Sequence, residues 1–183
     1  SHAGHAASTQ RITMILHRLR IFHVRNHGYT EIDCPEGTLL LLGENGAGKT
    51  TVLESIAMLC STRSFVTRQD RGLLQKDADT FRIEGEFATG SGSRHDVSML
   101  YTPELGRKQI ELDHAPLGSA SDLIGRFPVV ALSPQHRPIT AGGPGERRSF
   151  ADFIISQVHH AYLMDLIDYR RILRQRNALL ADI

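Results

Sequence analysis

The sequence predicts an α/β fold, and three observations predict it. Short apolar runs bounded by glycine, proline and asparagine recur at strand length as far as Leu132. A glycine-rich octapeptide, Gly43 to Thr50, separates one such run from a stretch with helical spacing. From Pro144 onward the pattern is helical alone.

Residues 1–13 have no apolar segment of the signal-peptide kind and read as a tag remnant or disordered leader, with Met14 offering a native start. From Ile15 to Val24 apolar residues are interrupted by His17, Arg18, Arg20 and His23, the pattern of a strand with one solvated face. His27-Gly28 reads as a turn and Tyr29 to Cys34 as the returning strand. After a second turn at Pro35-Glu36-Gly37, the run Thr38 to Leu42 carries four leucines, the mark of a strand buried on both faces. Lys49 to Cys60 is a helix with Val52, Leu53, Ile56, Ala57 and Leu59 at helical spacing. Residues 80–87, 95–101 and 108–112 read as strands, with a loop at Gly90-Ser91-Gly92-Ser93 and a turn at Leu105-Gly106-Arg107. Ser119 to Arg126 is a short helix with Ser119 and Asp122 as its capping pair. Phe127 to Leu132 is a further apolar strand, closed by Ser133-Pro134. Pro144 stands where a helix begins, and two helices run from about Glu146 to Leu180. The second gathers Leu163, Leu166, Tyr169, Ile172 and Leu173 on one side.

Composition narrows the classes further. A hydrophobic fraction of 40% beside 22% charged residues is that of a folded domain, not a disordered segment. A formal charge of +1 argues neither for nor against nucleic acid or anionic lipid. Cys34 and Cys60 belong to no C-x-x-C pair and are expected to be reduced and buried, as in a cytoplasmic protein. No apolar run approaches the ~20 residues of a bilayer span, so no membrane partner is expected. The histidines show no metal-ligand spacing, and adjacent His159 and His160 diverge on a helix.

The octapeptide Gly43-Glu44-Asn45-Gly46-Ala47-Gly48-Lys49-Thr50 fits G-x-x-x-x-G-K-[ST], the Walker A or P-loop pattern. Its glycines let successive backbone N–H groups point inward at phosphates, and the following helix adds its free amides and the positive end of its dipole. The expected ligands are ATP and Mg²⁺. Asn45, Gly46, Ala47 and Gly48 line the cradle, Lys49 reaches the β- and γ-phosphates as a catalytic cation, and the Thr50 hydroxyl ligates Mg²⁺. Thr51 either adds a phosphate contact or completes the first helical turn. No N-K-x-D pattern is present, which weakens a GTPase reading. The fold expected is that of a P-loop NTPase.

The form G-x-N-G-x-G-K-T is similar to the loops of ABC-type ATPases. Leu19-Arg20-Ile21-Phe22-His23-Val24-Arg25-Asn26-His27, the P-loop, and Leu53-Glu54-Ser55-Ile56 together resemble the RecF family of bacterial recombination mediators. The likeness continues through Arg63-Ser64-Phe65, Leu132-Ser133-Pro134, Gly142-Gly143-Pro144-Gly145-Glu146-Arg147-Arg148 and Tyr169 to Leu179. The resemblance implies an ATPase of gap repair that dimerises around ATP, binds duplex DNA near single-strand gaps, and works with RecR and RecO to load recombinase. It implies residues 14–142 as the N-terminal part of an ABC/SMC-type ATPase lobe and residues 143–183 as the beginning of a second, helical lobe. It implies weak, DNA-dependent ATP turnover in a longer protein. Arg25 and Asn26 match the family's first hairpin and are expected at the nucleotide. Gln135 stands where the family more often has glutamate, and as in the wider superfamily it would ligate Mg²⁺ and the attacking water. Arg63 and Arg68 flank Val66, where the family often places another arginine, which puts a carried-over role for that loop in doubt.

Arg170, Arg171, Arg174 and Arg176 form either the solvated face of a packed helix or a phosphate-contacting cluster. Neither a serine-glycine signature nor an apolar strand ending in paired acids occurs in the sequence. A chain without them is expected to bind ATP weakly, to hydrolyse it negligibly and to leave apolar surface open to self-association. Two other readings fit the same residues: a docking module for DNA or a protein partner with incidental nucleotide binding, or the head of another chromosome-maintenance ATPase.

Overall fold

The computed structural model describes residues 14–67, 69–90, 92–133 and 142–181. Six antiparallel strands form one sheet: β1 (Met14–Val24), β2 (His27–Asp33), β3 (Phe81–Thr89), β4 (Arg94–Thr102), β5 (Arg107–Leu112) and β6 (Ala115–Pro116), in the order β2-β1-β3-β4-β5-β6. Three helices accompany it: α1 (Lys49–Ser61), α2 (Pro144–Val158) and α3 (His160–Ala181).

Strict alternation gives the sheet two unlike faces. Ile21 pairs with Ile83, Ile83 with Met99, and Met99 with Ile110, so one apolar row crosses four strands. That face holds the core with α1: Leu19, Ile21, Ile83, Val97 and Met99 are buried against a cluster that includes Val52, Met58 and Leu59. The opposite face is a ladder of charges. Arg20 lies 2.8 Å from Glu86 and 3.3 Å from Glu31, and Arg18 lies 2.7 Å from Asp33. Leu19 pairs with Gly85, and a Cβ built on Gly85 would come within 2.7 Å of a Leu59 methyl. A residue with no side chain there lets α1 sit close on the sheet.

The expected β1, β2 and α1 are present, as are three later strands close to their expected limits. The turn between β1 and β2 falls at Arg25-Asn26, two residues before the expected His27-Gly28, because His27 already pairs with Val24. The capping box of Ser119 and Asp122 forms, but it starts only a 3₁₀ turn, Ala120–Asp122, with Gly125 at φ 90 soon after.

Two expected strands are absent. Residues 38–42 and 127–132 carry no strand assignment. Leu40 is 72% exposed, Leu42 82%, Val130 70% and Leu132 84%, the reverse of burial on both faces. An apolar run is buried only where neighbours cover it, and among the described residues no strand pairs with either segment. The α3 stripe is only partly covered beyond Leu163: Tyr169 and Ile172 are exposed, while Leu166 and Leu173 are half-buried. α2 and α3 are tied by Asp152, which accepts from Tyr162 at 2.6 Å and Arg170 at 2.9 Å. Gln157 of α2 accepts from the Val129 amide at 2.8 Å and donates back to its carbonyl at 3.1 Å, anchoring the extended 127–132 segment.

Candidate functional site

The segment between Leu42 and α1 is shaped by its glycines. Gly43, Gly46 and Gly48 have φ of 152, 86 and 93, values that side chains disfavour. Gly48 is the N-cap of α1, so the helix opens directly onto the loop with no acidic residue in its first turn and no side-chain cap. The first-turn amides and the positive end of the dipole are therefore left for an anion. A Cβ on Gly46 would meet nothing within 4 Å, which leaves that side of the cradle open. Lys49 folds back over the loop, its Nζ donating to the Gly43 carbonyl at 2.7 Å and the Glu44 carbonyl at 2.6 Å. An ammonium held only by two loop carbonyls at a helix N-terminus is able to exchange them for the oxygens of an anion.

The β1–β2 turn closes one wall. Asn26 Nδ2 donates to the Gly46 carbonyl at 3.1 Å. His27 Nε2 lies 3.2 Å from the Gly48 carbonyl and Nδ1 lies 2.7 Å from the Thr30 hydroxyl. A carbonyl only accepts, so in the neutral ring Nε2 carries the proton and Nδ1 accepts from Thr30. Arg25, at φ 52, turns its guanidinium onto Glu54 of α1, Nη2 lying 3.0 Å from Oε2. The turn itself is held by residues 73–75: the Arg25 amide donates to Leu73 O at 2.7 Å and the Gln75 amide to His23 O at 2.9 Å.

The structure thus gathers Arg25, Asn26, Gly46, Gly48 and Lys49 at one end of the sheet. Asn45, Ala47 and Thr50 are exposed beside them, and Thr50 on the first turn is free to face a phosphate-bound cation. Thr51 is buried, at 4% exposure. Gln135 and Arg68 lie outside the described residues. Arg63 is exposed on the loop after α1, while in the basic run Arg170 pairs with Asp152 and Arg171 with Asp168. Cys60 is buried, and burial pushes its thiol up to about 12, whereas Cys34 is half-buried, not buried as expected.

Sequence reasoning missed His27, Glu54 and Ser64. It also placed Leu53 on the packed side of α1, where it is 52% exposed, and overlooked Glu54, which is 1% exposed. The available signal was phase: Glu54 stands three residues from Thr51 and four from Met58, both buried, on the face turned to the protein.

Comparison with known proteins gives the family and the fold. Residues 18–137 match the AAA domain family. The chain is 44% identical over 167 residues to the DNA replication and repair protein RecF of Salinibacter ruber, covering 91% of this chain and 40% of that protein. It is 42% identical over 170 residues to RecF of Chloroherpeton thalassium, covering 93% and 46%. Among solved structures it resembles the recombination mediator protein RecF-ATP of the RecFOR pathway at a TM-score of 0.85 and 30% identity, covering 92% of this chain and 46% of that one. The chain spans less than half the length of these relatives. No helix of the described residues is long and apolar enough to cross a membrane. The chain therefore belongs to the AAA domain family, with the P-loop NTPase fold, and the relatives it matches are RecF proteins.

Proposed function

We propose that this chain binds ATP with Mg²⁺ and forms the nucleotide-binding part of a RecF-like ATPase of DNA repair. One observation carries the reading: three glycines with positive φ curl the loop into the uncapped start of α1, with the Lys49 ammonium folded back onto the Gly43 and Glu44 carbonyls. In this reading the loop amides and the first turn of α1 hold the β- and γ-phosphates. Lys49 exchanges its loop carbonyls for phosphate oxygens, and the Thr50 hydroxyl joins a cation that the phosphates also ligate. Arg25 and Asn26 form the wall behind the phosphates, and Gln135 would complete the metal site. Mg²⁺ would supply charge neutralisation at the phosphate oxygens. Residues 14–142 serve as the ATP-binding lobe and 143–183 as the start of a helical lobe.

The RecF relatives support the wider role as well. In a longer protein, ATP would drive dimerisation and binding to duplex DNA at single-strand gaps, in concert with RecR- and RecO-type mediators, in the cytoplasm. Arg174 and Arg176 of α3, which form no ion pair among the described residues, would offer phosphate contacts.

Titration of the chain with the fluorescent analogue mant-ATP and Mg²⁺ tests the core of this reading. Binding is expected, and Lys49→Ala is expected to weaken it about 10- to 100-fold, the worth of one charge-assisted hydrogen bond. Equal affinity in the two proteins, or none in either, sinks the reading.

A further inference from the structure

Among the described residues Glu54 is the one buried carboxylate beside the phosphate loop, and the roles set out above leave it unused. It is 1% exposed, five residues along α1 from Lys49. Arg25 Nη2 lies 3.1 Å from its Oε1 and 3.0 Å from its Oε2. The Ser64 hydroxyl donates to Oε1, and Ser64 Oγ accepts in turn from the amides of Val66 at 2.9 Å and Thr67 at 2.8 Å. One carboxylate thus joins the β1–β2 turn, α1 and the loop that follows α1.

Stability alone does not account for this pair. Among the described residues Glu54 Oε2 and Arg25 Nε are buried atoms that make no hydrogen bond, although Oε2 lies within ion-pair distance of Arg25 Nη2. An ion pair between a buried and a half-exposed group, satisfied this incompletely, is a weak source of stability. Arg25 also keeps a left-handed backbone, at φ 52, which costs a non-glycine residue. What the pair supplies is direction. With Arg25 fixed, the next two side chains reach the loop: Asn26 at the Gly46 carbonyl and His27 at the Gly48 carbonyl. In a planar trans peptide the carbonyl and the following N–H point opposite ways. Holding the Gly48 carbonyl toward the turn aims the Lys49 N–H away from it, to the side where phosphate would lie, while the Ala47 N–H donates to the Glu44 carbonyl at 3.2 Å.

We propose that Glu54 is a positioning residue of the nucleotide site, anchoring Arg25 and with it the Arg25-Asn26-His27 turn so that the loop amides are aimed before polyphosphate arrives. This rests on the nucleotide reading but makes a claim that can be measured without nucleotide. Backbone ¹⁵N order parameters of residues 45–49 in the nucleotide-free chain are the first readout, and mant-ATP affinity with Mg²⁺ is the second. In Glu54→Gln the order parameters are expected to fall from about 0.85 toward 0.6, from the rigid range to the flexible one. Affinity is expected to drop about tenfold, as for one lost charge-assisted hydrogen bond. Arg25→Ala, made on the half-exposed partner, is expected to do the same should Glu54→Gln fail to fold. The double variant is expected to be no worse than either single one, since both act through one contact. Arg25→Lys, which keeps the charge, is expected to recover part of the affinity. Unchanged order parameters in both single variants overturn the proposal. If Lys49→Ala abolishes binding while Glu54→Gln and Arg25→Ala leave it at the unsubstituted level, positioning fails and the nucleotide reading stands. If the unsubstituted chain binds no mant-ATP, the nucleotide reading fails, and the order parameters alone decide whether Glu54 sets the loop.

Discussion

Replacing Gly48 by alanine probes the closest contact between the turn and the phosphate loop. Gly48 has φ 93, and a Cβ there would lie 2.1 Å from His27 Nε2 and 2.9 Å from Asn26 Nδ2. Two costs follow. The left-handed backbone costs an alanine about 1–2 kcal/mol. The His27 ring must leave, giving up its bonds to the Gly48 carbonyl and the Thr30 hydroxyl at about 0.5–1.5 kcal/mol each. Together these come to about 2–5 kcal/mol. Gly46→Ala is the control: its φ is 86, but nothing lies within 4 Å of the new methyl, so it carries the backbone cost alone. Urea unfolding followed by circular dichroism should therefore find Gly48→Ala less stable than Gly46→Ala by about 1–3 kcal/mol, the two lost bonds. In a His27→Ala background, where only the 2.9 Å approach of Asn26 Nδ2 remains, the gap should narrow. Equal destabilisation by the two glycine variants, or a gap unchanged by removal of His27, refutes the packing of this turn on the loop.

Gly85→Ala should destabilise by about 1–3 kcal/mol, because its methyl would come within 2.7 Å of Leu59 Cδ1 and 3.0 Å of Phe87 Cε2 and push α1 off the sheet. The same unfolding curves check it, and a neutral result would mean that α1 does not sit that close. The Asp113 carboxyl is held below its ordinary value of 3.8, chiefly by a hydrogen bond from His95 and also by the Asp96 amide. A depressed acid pKa contributes stability above its ordinary value that is lost as pH falls through the lowered one. Asp113→Asn suits the left-handed backbone at φ 53, so its melting temperature should lie below that of the unsubstituted chain at neutral pH and converge with it in acid. A difference that persists unchanged in acid would refute that assignment.

Much of the site was legible in the residues because its chemistry is local. Eight consecutive residues specify the phosphate loop, and the strand before the turn and the helix after the loop follow from periods of about 2 and 3.6 residues. His27 and Glu54 were not legible: one reads as a turn residue and the other as an ordinary helix carboxylate. Their importance comes from Gly48 and Arg25, which lie 21 and 29 residues away.

Chain order alone settled the glycine-rich loop, α1 and the strand segments of the sheet, since backbone conformation and side-chain alternation are properties of neighbours in sequence. Three-dimensional packing alone decided which apolar runs are covered and which side chains hold the loop. Thr38–Leu42 and Phe127–Leu132 have the composition of interior strands, yet Leu42 and Leu132 face solvent. The physical reason is that burial is a relation between surfaces brought together by folding, and no run of residues carries its own cover.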